Sequence, residues 1–165
     1  ETNELQFAGA NNSLYHVKHK MLQIDDTLAG NSWPVAPGLK SADIVQPLFK
    51  SVAGADVDES HLTEYKGDKM PIGVYLRMEP FTQQVIQVEP GDCFYMMSDG
   101  LQDQFGGKDY KKFSSRRLKN LLINMARQPM TDQKEMLIKE FNEWKGDYQQ
   151  LDDICILGIR AGKPE

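Results

Sequence analysis

The sequence predicts an α+β domain in which a meander of short antiparallel strands is followed by a pair of amphipathic helices and a closing strand. Three observations carry this. Residues 81–88 alternate apolar and polar with period two, as a strand with one buried face does. After the turn Pro90-Gly91-Asp92 comes Cys93-Phe94-Tyr95-Met96-Met97, an apolar run too short for a helix and suited to a buried strand. From Ser114 the period lengthens: Leu118, Leu121, Leu122 and Met125 follow the i, i+3, i+4, i+7 spacing of one helical face.

Taken in order, Leu5 to Ala10 alternate, Asn11-Asn12-Ser13 is turn chemistry, and Leu14 to His19 alternate again, so the opening reads as a β-hairpin. His16 and His19 are three apart, on opposite faces of a strand, which makes a poor metal pair. Residues 22–61 read as an insertion or lid-like segment: loop residues surround Trp33 and Pro34, Pro47 breaks a short helical pattern, and residues 55–60 are polar and acidic. Gly67-Asp68 and Pro71 to Gly73 then force two tight backbone changes.

Ser114 or Ser115 can cap the first helix, which Pro129 ends. Thr131 can cap a second, with Met136, Leu137, Phe141 and Trp144 on one side and Gly146 as its stop. The short link between them implies an antiparallel pair packed on a sheet face. Ile154 to Ile159 close the chain as a continuous apolar run, expected of a strand buried on both faces.

A chain of 165 residues suffices for one domain, 1–165, with a real core. No apolar run approaches the ~18 residues of a membrane span and no charged-then-apolar leader opens the chain, so a soluble, cytoplasmic protein without membrane contact is expected. A net charge of −5 without a basic patch set among aromatics argues against nucleic acid, although residues 108–119 are locally basic. Cys93 and Cys155 sit in apolar runs without metal-ligand spacing; buried reduced thiols are expected, with a disulfide between neighbouring strands left open.

The chemistry gathers in two acidic motifs. Asp99 ends the strand after Ser98 and stands beside Gly100, while Asp152 and Asp153 begin the last strand. If these strands lie side by side and antiparallel, the three carboxylates meet at one sheet edge. Crowded carboxylates need a cation or a proton between them, and hard oxygen donors favour Mg²⁺ or Mn²⁺. A bound divalent ion acidifies water and neutralises phosphoryl charge, which suggests metal-assisted phosphate hydrolysis. The plainer reading of Asp99-Gly100 is a turn or an N-cap.

Ser98-Asp99-Gly100-Leu101, Asp152-Asp153-Ile154, Ala8-Gly9-Ala10-Asn11-Asn12-Ser13-Leu14-Tyr15 and Lys66-Gly67-Asp68-Lys69-Met70-Pro71-Ile72-Gly73, in this order around a helix pair, resemble the SpoIIE-type branch of the PPM (type 2C) metal-dependent protein phosphatases. The resemblance implies an α-β-β-α sandwich with central antiparallel sheets, and two Mn²⁺ or Mg²⁺ ions that activate water against phosphoserine or phosphothreonine. It also implies that Asp99 and Asp152 are metal ligands that catalyse through the ion, with Asp153 as a neighbouring or substitute ligand. The implied partner is a phosphorylated protein, such as a bacterial anti-sigma factor antagonist.

One departure stands out. The family's earlier motif, an aspartate followed by a Gly-His-Gly-type turn, has no counterpart here. The expectation is therefore a domain lacking its N-terminal part, inactive alone, with one ion or none, and with open sheet edges that give a route to a homodimer. A non-catalytic binding module of the same fold is the alternative. A receiver domain with three carboxylates around Mg²⁺ is disfavoured, because there the acidic pair precedes the lone aspartate and the sheet is parallel.

Overall fold

The structure, a computed structural model, describes residues 3–20, 22 and 59–162. Apart from Leu22 and residues 59–61, the segment 22–61 expected as an insertion or lid lies outside them.

The centre is a four-stranded antiparallel sheet of β2 (Leu14–Val17), β3 (Leu62–Tyr65), β5 (Cys93–Met97) and β8 (Ile156–Arg160), in the order β3-β2-β5-β8. Alternation along β2 and β5 sends side chains to two cores. Tyr15, Val17, Cys93 and Tyr95 face helices α2 (Ser115–Met125) and α3 (Met130–Lys145), and pack with Leu118, Leu121, Leu122, Met125 and Met136. Leu14 and Phe94 face a two-stranded antiparallel ribbon of β1 (Glu4–Phe7) and β4 (Gln84–Gln87), and pack with Phe7 and Ile86. Helices, sheet and ribbon make three layers of the expected α-β-β-α sandwich; the second helical layer is not among the described residues.

The helix pair forms as its spacing predicts. Ser114 Oγ accepts from Arg117 N, capping α2. Arg117, near the start of α2, pairs with Glu140 in the later half of α3, so the two run antiparallel. Gly146 ends α3 with φ 54°. Thr131 does not cap α3: Pro129 holds that place, its fixed φ suiting a helix start, and Thr131 lies inside the first turn.

The opening hairpin does not form. β1 pairs with β4 and β2 pairs with β3 and β5, so the chain crosses between sheets over residues 8–13. The crossing is held by long-range backbone bonds, Asp68 N to Gly9 O and Asn11 N to Asp68 O, both 2.8 Å, with Asn11 at φ 61°. A Cβ on Gly67 would stand 2.6 Å from Asn12 O, so only glycine permits this approach. The last strand also departs from expectation. Among the described residues β8 is an edge strand, with Leu157 and Ile159 about half exposed on the face of the sheet that carries Phe94.

Cys93 is buried and Cys155 exposed, and both are free thiols. Antiparallel pairing puts them at opposite ends of β5 and β8, which rules out the disulfide. No helix among the described residues is long and apolar enough to cross a membrane.

Candidate active site

β5 ends and β8 begins at the same place, because Met97 and Ile156 are register partners. The residues just beyond them therefore leave the sheet together. Ser98 fastens the two segments: its N–H donates to Cys155 O at 3.0 Å, its hydroxyl donates to Asp153 O at 2.8 Å, and Cys155 N–H donates to Ser98 Oγ at 3.0 Å. Gly100 lets them close. A Cβ there would meet Asp153 O at 2.5 Å, so the start of helix α1 (Gly100–Asp103) lies directly against the Asp153 backbone.

Asp99 precedes α1 and is exposed. It occupies the N-cap position, yet its side chain makes no capping bond. Asp152 Oδ1 accepts from Asp153 N at 2.7 Å, which fixes the local turn. Both residues of the pair are exposed. No hydrogen bond or ion pair to the Asp99 or Asp153 carboxylate is found among the described residues.

The donors at this edge are hard carboxylate oxygens supplied by two neighbouring strands, the kind that suits Mg²⁺ or Mn²⁺. Among the described residues, however, no three His, Cys, Asp or Glu side chains gather to hold an ion. The backbones of the two acidic motifs thus come together, while a closed ligand set does not form from these residues.

Two polar side chains that no sequence motif singles out organise the surroundings. Gln104 is fully buried; its Nε2 donates to Phe105 O at 2.9 Å and Gln149 O at 3.0 Å, and its Oε1 accepts from Leu151 N at 3.3 Å. It ties α1, which follows Asp99, to the loop that leads into Asp152. Asp92 does similar work at the opposite end of β5. It is buried and accepts from His16 Nε2 (2.8 Å), His19 N (3.0 Å) and Glu89 N (3.0 Å). His16, itself buried and stacked on Phe94 with centroids 4.4 Å apart, is a core residue rather than a ligand. A single sequence shows each of these only as a polar residue near a turn.

The model of the family Stage II sporulation protein E (SpoIIE) matches residues 52–162, more than half of the chain. Among solved structures, the SiaA-PP2C domain of Pseudomonas aeruginosa is similar over 96% of this chain and 46% of that one, with 27% identity and a TM-score of 0.65. The chain thus spans about half the length of that structure. The phosphatase domain of the cell fate determinant SpoIIE from Bacillus subtilis, in a crystal form without domain swapping, is matched over 100% of this chain and 88% of that one. There the identity is 14% and the TM-score 0.39. No match was found among curated proteins. The ordered motifs around the helix pair, the sandwich layers and the family match agree, and the chain belongs to the SpoIIE family of PP2C-type phosphatase domains.

Proposed function

We propose that the chain forms part of a metal-dependent protein phosphatase that hydrolyses phosphoserine or phosphothreonine on a bacterial regulatory protein in the cytoplasm. The observation that carries the reading is the β5–β8 register, which brings Asp99 and Asp152-Asp153 to one end of the sheet in a chain of this family. Asp99 and Asp152 would hold the divalent ion, with Asp153 beside them. When bound, Mn²⁺ or Mg²⁺ supplies Lewis acidity and an acidified water. The chain's own part is to hold the carboxylates at a rigid edge: Ser98 and Gly100 fix the spacing of the backbones, and Gln104 fixes the loop before Asp152. An anti-sigma factor antagonist is the kind of phosphoprotein that fits this reading.

The test is hydrolysis of a phosphoserine peptide by the full-length protein with Mn²⁺, compared with Asp99→Asn and Asp152→Asn. Each variant is expected to lose about 100-fold or more. Undiminished hydrolysis in both would overturn the assignment. The absence of a three-ligand group among the described residues favours a second reading, a non-catalytic binding module of the same fold. That reading predicts no Mn²⁺-dependent hydrolysis at all.

A further inference from the structure

The hairpin of β6 (Phe105–Gly106) and β7 (Lys111–Lys112), with the loop after α3, builds a second surface beside the acidic edge. Tyr110, between the two strands, has φ 49°, a left-handed conformation that a non-glycine residue adopts only at a cost. This conformation places its ring between two others, with centroids 5.1 Å from Phe105 and 4.8 Å from Tyr148. Tyr110 is 52% exposed and Tyr148 42%, so an aromatic ledge faces solvent.

Lysines line it. Lys112 Nζ stands 5.9 Å from the Phe105 ring centre, and Lys108 and Lys111 are exposed on the same hairpin. Lys111 pairs with Asp109 at 3.3 Å and Lys112 with Asp103 at 3.1 Å, but these side chains are half exposed or more. Such solvent-exposed pairs contribute little, so an incoming carboxylate can replace the aspartate in either one. Residues 108–119 are locally basic in the sequence, and folding adds the Tyr148 ring from a segment further along the chain. The ledge is tied to the acidic edge: Lys112 pairs with Asp103, one turn beyond Asp99, and Tyr148 lies in the loop that Gln104 fastens ahead of Asp152.

We infer that this ledge receives an acidic segment of the phosphoprotein substrate, adjacent to the phosphorylated residue. The rings pack against the peptide backbone and its apolar side chains, and Lys108, Lys111 and Lys112 face its carboxylates. A nucleic acid fits less well: the rings are inclined to one another by 33° and 52°, which leaves no pair of parallel faces between which bases could stack. The identity of the partner as a phosphatase substrate rests on the reading proposed above.

The test is fluorescence anisotropy of this chain with three probes: a peptide with one phosphoserine beside a run of Asp and Glu, the same peptide with Lys replacing the acids, and a thymidine oligonucleotide. A Lys108→Glu, Lys111→Glu double variant and a separate Tyr148→Ala variant are compared, their folding checked by circular dichroism. The acidic peptide is expected to bind in preference to both other probes, and each variant to weaken it about tenfold. Equal binding by the folded variants, or a preference for the oligonucleotide, overturns the inference. Hydrolysis of a small aryl phosphate by the full-length protein separates the two claims. The ledge variants leave it unchanged if both hold, whereas peptide binding through the ledge without any hydrolysis sinks the phosphatase reading and leaves the ledge as the surface of a binding module.

Discussion

Ser98 and Cys155 face each other across the end of β5 and β8 and exchange two hydrogen bonds, each 3.0 Å long: Ser98 N–H to Cys155 O, and Cys155 N–H to Ser98 Oγ. The same hydroxyl donates to Asp153 O at 2.8 Å. One small side chain thus sets the separation between the Asp99 and Asp153 backbones, on which any ion shared by the two acidic motifs would depend.

Ser98→Ala removes the hydroxyl from both bonds. Because the site is exposed and water can substitute, the stability loss should be small, about 0.5–1 kcal/mol by urea unfolding. Any Mn²⁺ affinity should fall by more than this stability change alone would suggest. Equal Mn²⁺ affinity in Ser98→Ala and the unsubstituted chain would show that the separation is not set here.

Gly100→Ala should be worse. Its Cβ would lie 2.5 Å from Asp153 O and 3.1 Å from Ile154 Cγ1, where the nearer obstacle is backbone and cannot rotate away. A loss of about 1–3 kcal/mol is expected from overpacking, together with a displaced Asp153 segment. Thermal unfolding and amide chemical shifts at residues 152–155 would check both effects.

Asp92→Ala would leave His16 Nε2 and the N–H groups of His19 and Glu89 without this acceptor inside the protein. The expected cost is about 3–5 kcal/mol, a large fraction of the roughly 5–15 kcal/mol by which an ordinary domain is stable. Asp92→Asn keeps one oxygen acceptor and should recover part of the loss. A folded Asp92→Ala protein of undiminished stability would contradict this account of the β4–β5 turn.

The Tyr95 hydroxyl donates to Gln133 Oε1 at 2.8 Å, and burial, reinforced by nearby Cys93, pushes its pKa far above the ordinary 10.0. The folded state therefore holds this proton more tightly than the unfolded chain does. Stability from this source is fully present below about pH 10 and is lost as pH rises beyond it. Burial raises Tyr15 and Tyr65 in the same direction. Tyr95→Phe should show a shallower loss of stability above pH 10, and identical alkaline slopes would rule out Tyr95 as a contributor.

Much of this fold can be read along the chain because it depends on local spacing. The Cys93–Met97 strand and the Leu118, Leu121, Leu122, Met125 stripe each announce themselves within a dozen residues. That the two acidic motifs leave the sheet at one end follows once β5 and β8 are paired antiparallel, and the register does pair them, while the three carboxylates do not gather into one ligand set among the described residues. The opening segment reads as a hairpin because Asn11-Asn12-Ser13 has turn chemistry, while the partners that decide its path, Asp68 and Gly67, lie far along the chain. The closing strand reads as doubly buried because apolar content does not distinguish a central strand from an edge strand. Gln104 and Asp92 were invisible for a related reason: a buried polar residue is recognised by what it bonds to, and those partners are assembled only by the fold.

The most direct test of the central claim, that the edge formed by Asp99 and Asp152-Asp153 binds a divalent cation, is a calorimetric titration of Mn²⁺ into this chain and its Asp99→Asn variant. The account predicts weak but saturable binding to the unsubstituted chain that the variant loses while staying folded. Saturable binding of equal strength in both proteins, or none in the full-length protein, would contradict it.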